Sequence, residues 1–223
     1  MQTLIKSSKQ LGMLVVGSKG LAKEVLQTLA QLNRASYLAF YDDINFYEEK
    51  LLYSKYSILQ SEQEVNDFFD NANFEFTIGI GNPNLRFRMY QKFLSLQGSF
   101  VSVISPKAII GTEDVIINEG CVILSNAILS NSTSLGKGCL VYYNVIITHD
   151  VKVGQFVELS PGATLLGNCS IDDFSHVGAN ATVLPNIKVG KNVIIGAGSV
   201  VTKDVPDNTV VAGVPAKIIK KSA

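Results

Sequence analysis

Apolar residues recur along this chain with two different periods, and the change from one to the other divides it. From Gly12 to about Val103, short β-branched runs alternate with amphipathic stretches, the pattern of a small parallel α/β unit. MLVVG (13–17) reads as a buried first strand, and Leu21, Val25, Leu29 and Leu32 then fall on one helical face. YLAFYDD (37–43) predicts a second strand ending in two carboxylates. A helix over 61–69 opens with Ser61 as N-cap and Glu64 three residues later, a capping-box pattern. FEFTIGIGN (74–82) predicts a third strand ending in a glycine turn. A helix through Leu85, Met89, Phe93 and Leu96 follows, with Arg86 read as a charge on its surface. A short strand near Phe100 to Val103 closes this half, and SPKAIIG (105–111) reads as the junction.

Past the junction, from about Ile117 to Pro206, the period becomes six. Steps of six from Ile117 through Ile123, Leu129 and Leu135 to Ile195 and Val201 meet fifteen residues, all aliphatic. Four positions after each stands a residue no larger than isoleucine and usually small, among them Cys121, Ala127, Ala163 and Ser199. Such a register predicts a parallel β-helix in which each unit makes one short strand and one turn. A single unit cannot bury its aliphatic side chain, but stacked coils bury a continuous column of them. Three units per coil give 18 residues, with coils beginning at Ile117, Leu135, Val153, Ile171 and Val189. Glycine often follows the aliphatic residue, as at Gly136, Gly154, Gly178, Gly190 and Gly196, which predicts a corner needing unusual backbone angles.

Composition narrows the function classes. Lysine plus arginine (19) balances aspartate plus glutamate (19), and the only basic cluster is the tail Lys217, Lys220 and Lys221. A nucleic-acid partner needs a positive stripe to release counterions, so none is expected. The first ten residues, MQTLIKSSKQ, have no apolar core of a secretion signal, and no run approaches the roughly 18 apolar residues of a membrane span. The chain reads as a soluble cytoplasmic protein with no membrane partner. Cys121, Cys139 and Cys169 lack metal-ligand spacing and share the small slot of the repeat, so they read as core residues and no metal is expected.

The [LIV]-G-x-x-x-x repeat and the ending VVTKDVPDNTVVAGVPAKIIK (200–220) resemble the hexapeptide-repeat acyltransferases. GSKGLAKEV (17–25), FYDD (40–43), IGIGNPNLRFRMYQK (78–92) and THDVKVGQFVELSPGATLLGNC (148–169) sharpen the resemblance. It is to the sialic acid O-acetyltransferase and nucleotide-amino-sugar N-acetyltransferase family, over nearly the whole chain after the first ten residues. The resemblance implies a small Rossmann-like nucleotide-sugar-binding domain over 1–105. A left-handed parallel β-helix binding acetyl-CoA as co-substrate would follow over 106–223. Handedness comes from the resemblance alone, since general rules for β crossovers favour the right hand. It further implies a homotrimer with active sites between chains, and acetyl transfer to the amino group of a nucleotide-linked dideoxy sugar for bacterial surface glycans. O-acetylation of a sialic acid or another sugar hydroxyl uses the same base, and a non-catalytic nucleotide-sugar-binding protein is the reading from a different class.

Amide formation from a thioester needs a positioned base. His149, one of two histidines, sits inside the repeat beside Asp150, and a carboxylate next to an imidazole fixes its tautomer. In the family this histidine is the base and the acidic residue after it the support. A surface histidine at a corner is the plain alternative. No serine or cysteine is placed as a nucleophile, so direct attack is expected. His176 lies one and a half coils further on and reads as exposed and structural.

By resemblance Glu158 stands where the family has a second histidine near the acetyl carbonyl, and Gly167, Ala179 and Ala197 line the coenzyme groove. An ionised glutamate donates no hydrogen bond to an oxyanion, so backbone N–H groups must do more. A solvated glutamate on an outer face reads the same in sequence. Gly17, Ser18, Lys19 and Gly20 between the first strand and helix can cradle phosphate or sugar groups at a helix N-terminus. Leu21 replaces a family histidine there, which removes one polar contact. Asp42 and Asp43 end the second strand where this fold presents carboxylates to a base or ribose, although a turn would look alike. Gly81 and Asn82 end the third strand beside the same pocket, and Asn82 also fits a plain turn.

Overall fold

The computed structural model describes residues 12–70 and 73–221. The segment 1–11, read above as lacking a secretion signal, lies outside the described residues. The amino half comprises β1 (Gly12–Val16), α1 (Gly20–Gln31), β2 (Leu38–Tyr41), β3 (Leu51–Leu52), β4 (Tyr56–Leu59), α2 (Glu62–Phe68), β5 (Phe74–Ile78), α3 (Pro83–Ser95) and β6 (Ser99–Phe100). The strands form one sheet in the order β3-β4-β2-β1-β5-β6, parallel except for β3 at its edge. The three predicted strands and helices are all present. The β3–β4 hairpin was not foreseen, because strands of two and four residues are too short to show a period.

Ser61 caps α2 by accepting from the Glu64 N–H at 3.2 Å, and Glu64 reaches back to the Gln60 N–H at 2.8 Å. The predicted α1 face, with Leu21, Val25 and Leu29, is buried. It is buried twice over, since α1 fills the space between this sheet and the β-helix in one core holding Val15, Leu29, Val122 and Leu140.

Stacking of the second half begins earlier than Ile117. Val103–Ile104 pairs with Val122–Ile123, and Ile109–Ile110 with Ile128–Leu129, so SPKAIIG is part of a first coil rather than a separate junction. One extra residue between Ile110 and Ile117 breaks the count of six and hid this coil. From there the predicted 18-residue register holds on all three faces. The first face runs through Val122, Leu140, Glu158, His176 and Ile194. The second runs through Ile128, Ile146, Thr164, Thr182 and Val200, and the third through Ile116, Ser134, Lys152, Ser170 and Lys188. The residue after each of these points inward, where Leu135, Val141, Ile147 and Leu165 are fully buried. An antiparallel ribbon, Thr209–Gly213 with Ala216–Lys221, continues the first face.

The glycines after the aliphatic residues answer a different need from the one expected. None has positive φ; instead, a Cβ on Gly136 would stand 2.5 Å from the Gly154 backbone and one on Gly178 2.6 Å from that of Ala197. They are required by the close approach of the next coil. The left-handed position comes two residues later and is filled largely by Asn126, Asn144, Asn168, Asn180, Asn186 and Asn192, the non-glycine type that tolerates it best. The three cysteines are unpaired and at most 1% exposed, as their slot predicted. Burial pushes the Cys169 thiol up to about 11.

Candidate active site

The first cleft follows from sheet order. The chain leaves β1 for β2 on one side and returns to β5 on the other, and the crevice at such a switch point, outside the carboxyl ends of the strands, is where ligands bind in open α/β sheets. Here it measures about 430 Å3 and is lined by segments 16–21, 41–45 and 79–81 with Leu85, Met89 and Tyr142. The structure thus brings together Gly17, Ser18, Lys19, Gly20, Leu21, Asp42, Asp43 and Gly81 of the sequence-predicted set. Gly17 has φ +105°, and a Cβ there would stand 2.8 Å from the Gly79 carbonyl, so only glycine fits; Gly20 has open space around it. Helix α1 begins at Gly20 with no side-chain cap, leaving its first N–H groups directed at the cleft. Lys19 lies 4.8 Å over the Tyr47 ring.

The two aspartates differ. Asp42 is almost buried and accepts from Ser18 at 2.5 Å, Tyr47 at 2.7 Å, the Asn45 side chain at 2.9 Å and the Ile44 and Asn45 N–H groups at 3.2 and 3.1 Å. Burial alone would raise its pKa, but these hydrogen bonds outweigh it and hold the group down at about 2. With its acceptors engaged, Asp42 organises the cleft wall. Asp43 accepts from Tyr41 at 2.8 Å and Lys92 at 3.1 Å, and is the more exposed of the two. Asn82 sits at the edge: its oxygen caps α3 through the Leu85 N–H at 2.9 Å, and it lines the neighbouring cleft described below.

His149 stands on the edge between the second and third faces. Its Nδ1 lies 2.8 Å from Asp150 Oδ2, which places the proton on Nδ1 and leaves the Nε2 lone pair free to accept. Both side chains are more than half exposed. The ring rests on Gly167 of the next coil, where a Cβ would come within 2.6 Å of Cε1. Asp150 also occupies a left-handed corner position, φ 61°, so one residue turns the chain and orients the imidazole. Ala179 and Ala197, stacked one coil apart, lie on a different edge, between the first and second faces. Neither the Gly17 cleft nor the cleft described next is lined by His149, Ala179 or Ala197.

Three readings from sequence change here. Arg86 is no surface charge: it is 2% exposed and inserted between the domains, donating to the carbonyls of Gly138 at 3.3 Å, Phe156 at 2.6 Å, Val157 at 3.0 Å and Gly81. The α3 surface must be polar where it meets the ends of the β-helix turns, and arginine supplies the donors. Phe156 and Phe174 stack at 5.8 Å and receive Phe87 edge-on, sealing the same seam. His176 is half-buried rather than exposed. Its Nε2 meets Ser160 Oγ at 2.8 Å and stands 3.8 Å from Glu158, itself 9% exposed rather than solvated. A second cleft of about 350 Å3, lined by Gly81, Asn82, Asn84, Glu158, His176 and Asn192, opens there and shares Gly81 with the first. Two successive polar residues, Glu158 and His176, at outward positions between the apolar Val122, Leu140 and Ile194 are the signal in sequence that could have marked this seam.

Comparison with known proteins agrees with both halves. Residues 13–93 match the PglD N-terminal domain, residues 114–149 the hexapeptide repeat of succinyl-transferase and residues 168–203 the six-repeat bacterial transferase hexapeptide. The chain is a hexapeptide-repeat transferase with a PglD-type amino domain. Among solved structures, this transferase is 28% identical to the acetyltransferase domain of PglB from Neisseria gonorrhoeae in complex with acetyl coenzyme A, with a TM-score of 0.83 over 93% of this chain and 98% of that one. WeeI from Acinetobacter baumannii is 27% identical, TM-score 0.85, over 94% and 100%. PerB from Caulobacter crescentus, in complex with CoA and GDP-perosamine, is 24% identical and shares the fold, TM-score 0.83, over 93% and 96%. The common architecture makes the transferase's β-helix left-handed. No curated protein sequence matches it.

Proposed function

We propose that this transferase moves an acetyl group from acetyl-CoA to the amino group of a nucleotide-linked amino sugar, with His149 as general base and Asp150 as its orienting carboxylate. The observation that carries the reading is the His149–Asp150 pair held over Gly167, with Nε2 free for a proton. The sugar nitrogen attacks the thioester carbonyl, the N–C bond forms and the C–S bond breaks. His149 takes the N–H proton and returns it to the departing CoA thiolate. The relatives support both ligands: the PglB domain is in complex with acetyl coenzyme A, and PerB with CoA and GDP-perosamine.

The switch-point cleft takes the nucleotide, with phosphates at the Gly17–Gly20 turn and the α1 N-terminus, and Leu21, Asp43 and Gly81 around the base and sugar. Ala179 and Ala197 offer the pantetheine arm a surface of small side chains, and Gly167, under the His149 ring, lets the arm's thioester end approach the base. They occupy two edges that flank the second face, whose outward residues Ile109, Ile128, Ile146, Thr164, Thr182 and Val200 carry no charge. A second copy laid against that face brings the edges together, so the working form is a homotrimer with sites between copies. Light scattering that gives a monomer at micromolar concentration sinks this assembly.

Acetyl-CoA and nucleotide sugars are both made in the cytoplasm, where we place the reaction, ahead of surface-glycan assembly. No helix of the described residues is long and apolar enough to cross a membrane. A turnover screen with acetyl-CoA and UDP-, GDP- and TDP-linked amino sugars, following release of the CoA thiol, tests the activity. Thiol release with none of them overturns it.

A further inference from the structure

Glu158 is a buried carboxylate whose hydrogen-bonding capacity is unused. It lies on the first face of the β-helix between Leu140 and His176, and an added Cβ on Gly81 would stand 3.5 Å from each of its oxygens. Arg86 Nη1 and His176 Nε2 are each 3.8 Å away, close enough for charge attraction and too far for a hydrogen bond. Both have other partners: Arg86 donates to four carbonyls, and His176 Nε2 meets Ser160. Among the described residues no donor reaches either Glu158 oxygen. Buried polar groups nearly always have a partner, and an ionised carboxylate accepts several hydrogen bonds. The oxygens instead line the cleft that adjoins the switch-point cleft at Gly81.

We infer that Glu158 reads the acceptor nitrogen, making this cleft the sugar subsite and selecting an amine over a hydroxyl. The inference rests on the acetyl-transfer reading for the identity of the acceptor. A nucleotide seated at Gly17 would extend its sugar past Gly81 toward the carboxylate. An ammonium group brings positive charge and three N–H donors, whereas a hydroxyl brings one O–H and no charge. After the ammonium has lost a proton to solvent, the neutral amine keeps one N–H on Glu158 and offers the other to the His149 of a neighbouring copy. This aims the nitrogen lone pair at the thioester. Burial raises the Glu158 pKa, and His176 and Arg86, the latter fixed by its carbonyls, oppose that shift through their charge without competing for the carboxylate lone pairs.

The test is calorimetric binding to the full chain in the presence of CoA, using GDP-perosamine and GDP-rhamnose, which carry an amine and a hydroxyl at the same sugar carbon, and the corresponding UDP-linked pair. For the nucleotide that binds, the wild type is expected to prefer the amine by between about tenfold and a hundredfold, the range of one charge-assisted hydrogen bond. Glu158→Gln should bring the preference below about threefold with affinity for the free nucleoside diphosphate unchanged, and Glu158→Asp should restore part of it. Equal affinity of the wild type for the two sugars overturns the inference whatever the variants do. So does an undiminished preference in Glu158→Gln, or a loss of nucleotide affinity in step with amine affinity, which would mark Glu158 as a counter-ion for Arg86 only. Because the readout is binding, a wild type that prefers the amine yet releases no CoA thiol retains the Glu158 role and rejects acetyl transfer.

Discussion

His149 and Glu158 are nine residues apart in the chain, on the same stretch of β-helix, and their surroundings are opposite. His149 stands at an exposed corner, built from itself, Asp150 and the glycine one coil away. Glu158 stands in a seam that exists only because α3 and the end of β5 press on the first face, and its neighbours come from both domains. The corner is a local arrangement repeated by the coil register. The seam is a tertiary product. Changes at the corner should therefore alter rate and leave stability, and changes in the seam should do the reverse, except where Glu158 itself meets the substrate.

The largest effect expected is at the corner. Replacing His149 with alanine removes the base and should lower kcat by about 100- to 10,000-fold, with thermal unfolding unchanged. Undiminished acetyl transfer would reject the assignment. Next comes the seam: Arg86→Leu takes the arginine donor from four carbonyls, of which Val157 keeps the Leu140 N–H at 2.9 Å, and leaves Glu158 without its nearby cation. Breaking a buried pair of this kind costs about 3–5 kcal/mol, visible as an earlier midpoint in urea. Should the midpoint stay put, the domains are not held together through this residue. Gly167→Ala is a finer probe, because the new methyl drives the imidazole off its support and away from Asp150. A fall in kcat of roughly tenfold to a hundredfold, with the unfolding midpoint almost unmoved, would mark the corner as a positioning device.

The smallest effect concerns Asp42. Its folded pKa, about 2, lies below the ordinary carboxylate value of 3.8, so its contribution to stability is present above about pH 4 and is lost as pH falls toward 2. The difference in melting temperature between wild type and Asp42→Asn should close over that interval. A gap that stays constant would mean that the Ser18, Tyr47 and Asn45 hydrogen bonds do not depend on its charge.

Much of this could be read in the chain. The β-helix was legible because each coil repeats one requirement, an inward aliphatic residue every six positions, and the coil stacking turns that into an 18-residue register found on every face. The cysteines fell into place for the same reason. The glycine pattern was visible but misjudged: backbone proximity between coils, not φ, excludes a side chain at Gly136 or Gly178, and the residue that marks the left-handed corner is asparagine. In the amino half, the helix faces and the Ser61 cap were read correctly, while β4 escaped as a short strand without a period. The cleft residues from Gly17 to Asp43 were gathered by topology, yet the division of labour between Asp42 and Asp43 was invisible, because it depends on Ser18 and Lys92 arriving from elsewhere and on the loop that folds Asn45 and Tyr47 back onto Asp42.

The sequence by itself determined the two periods, hence the two folds, and the pairing of His149 with Asp150, because these depend on residues at fixed short separations. Only the tertiary structure decided that Arg86 is buried, that His176 is half-buried beside Glu158, and that Glu158 faces a cleft without a donor. The burial of Arg86 comes from residues 52 to 72 positions apart meeting across a domain seam, and His176 meets Glu158 one coil away on the face that this seam covers. Burial and hydrogen-bond satisfaction are properties of that contact, and no local pattern along the chain encodes them.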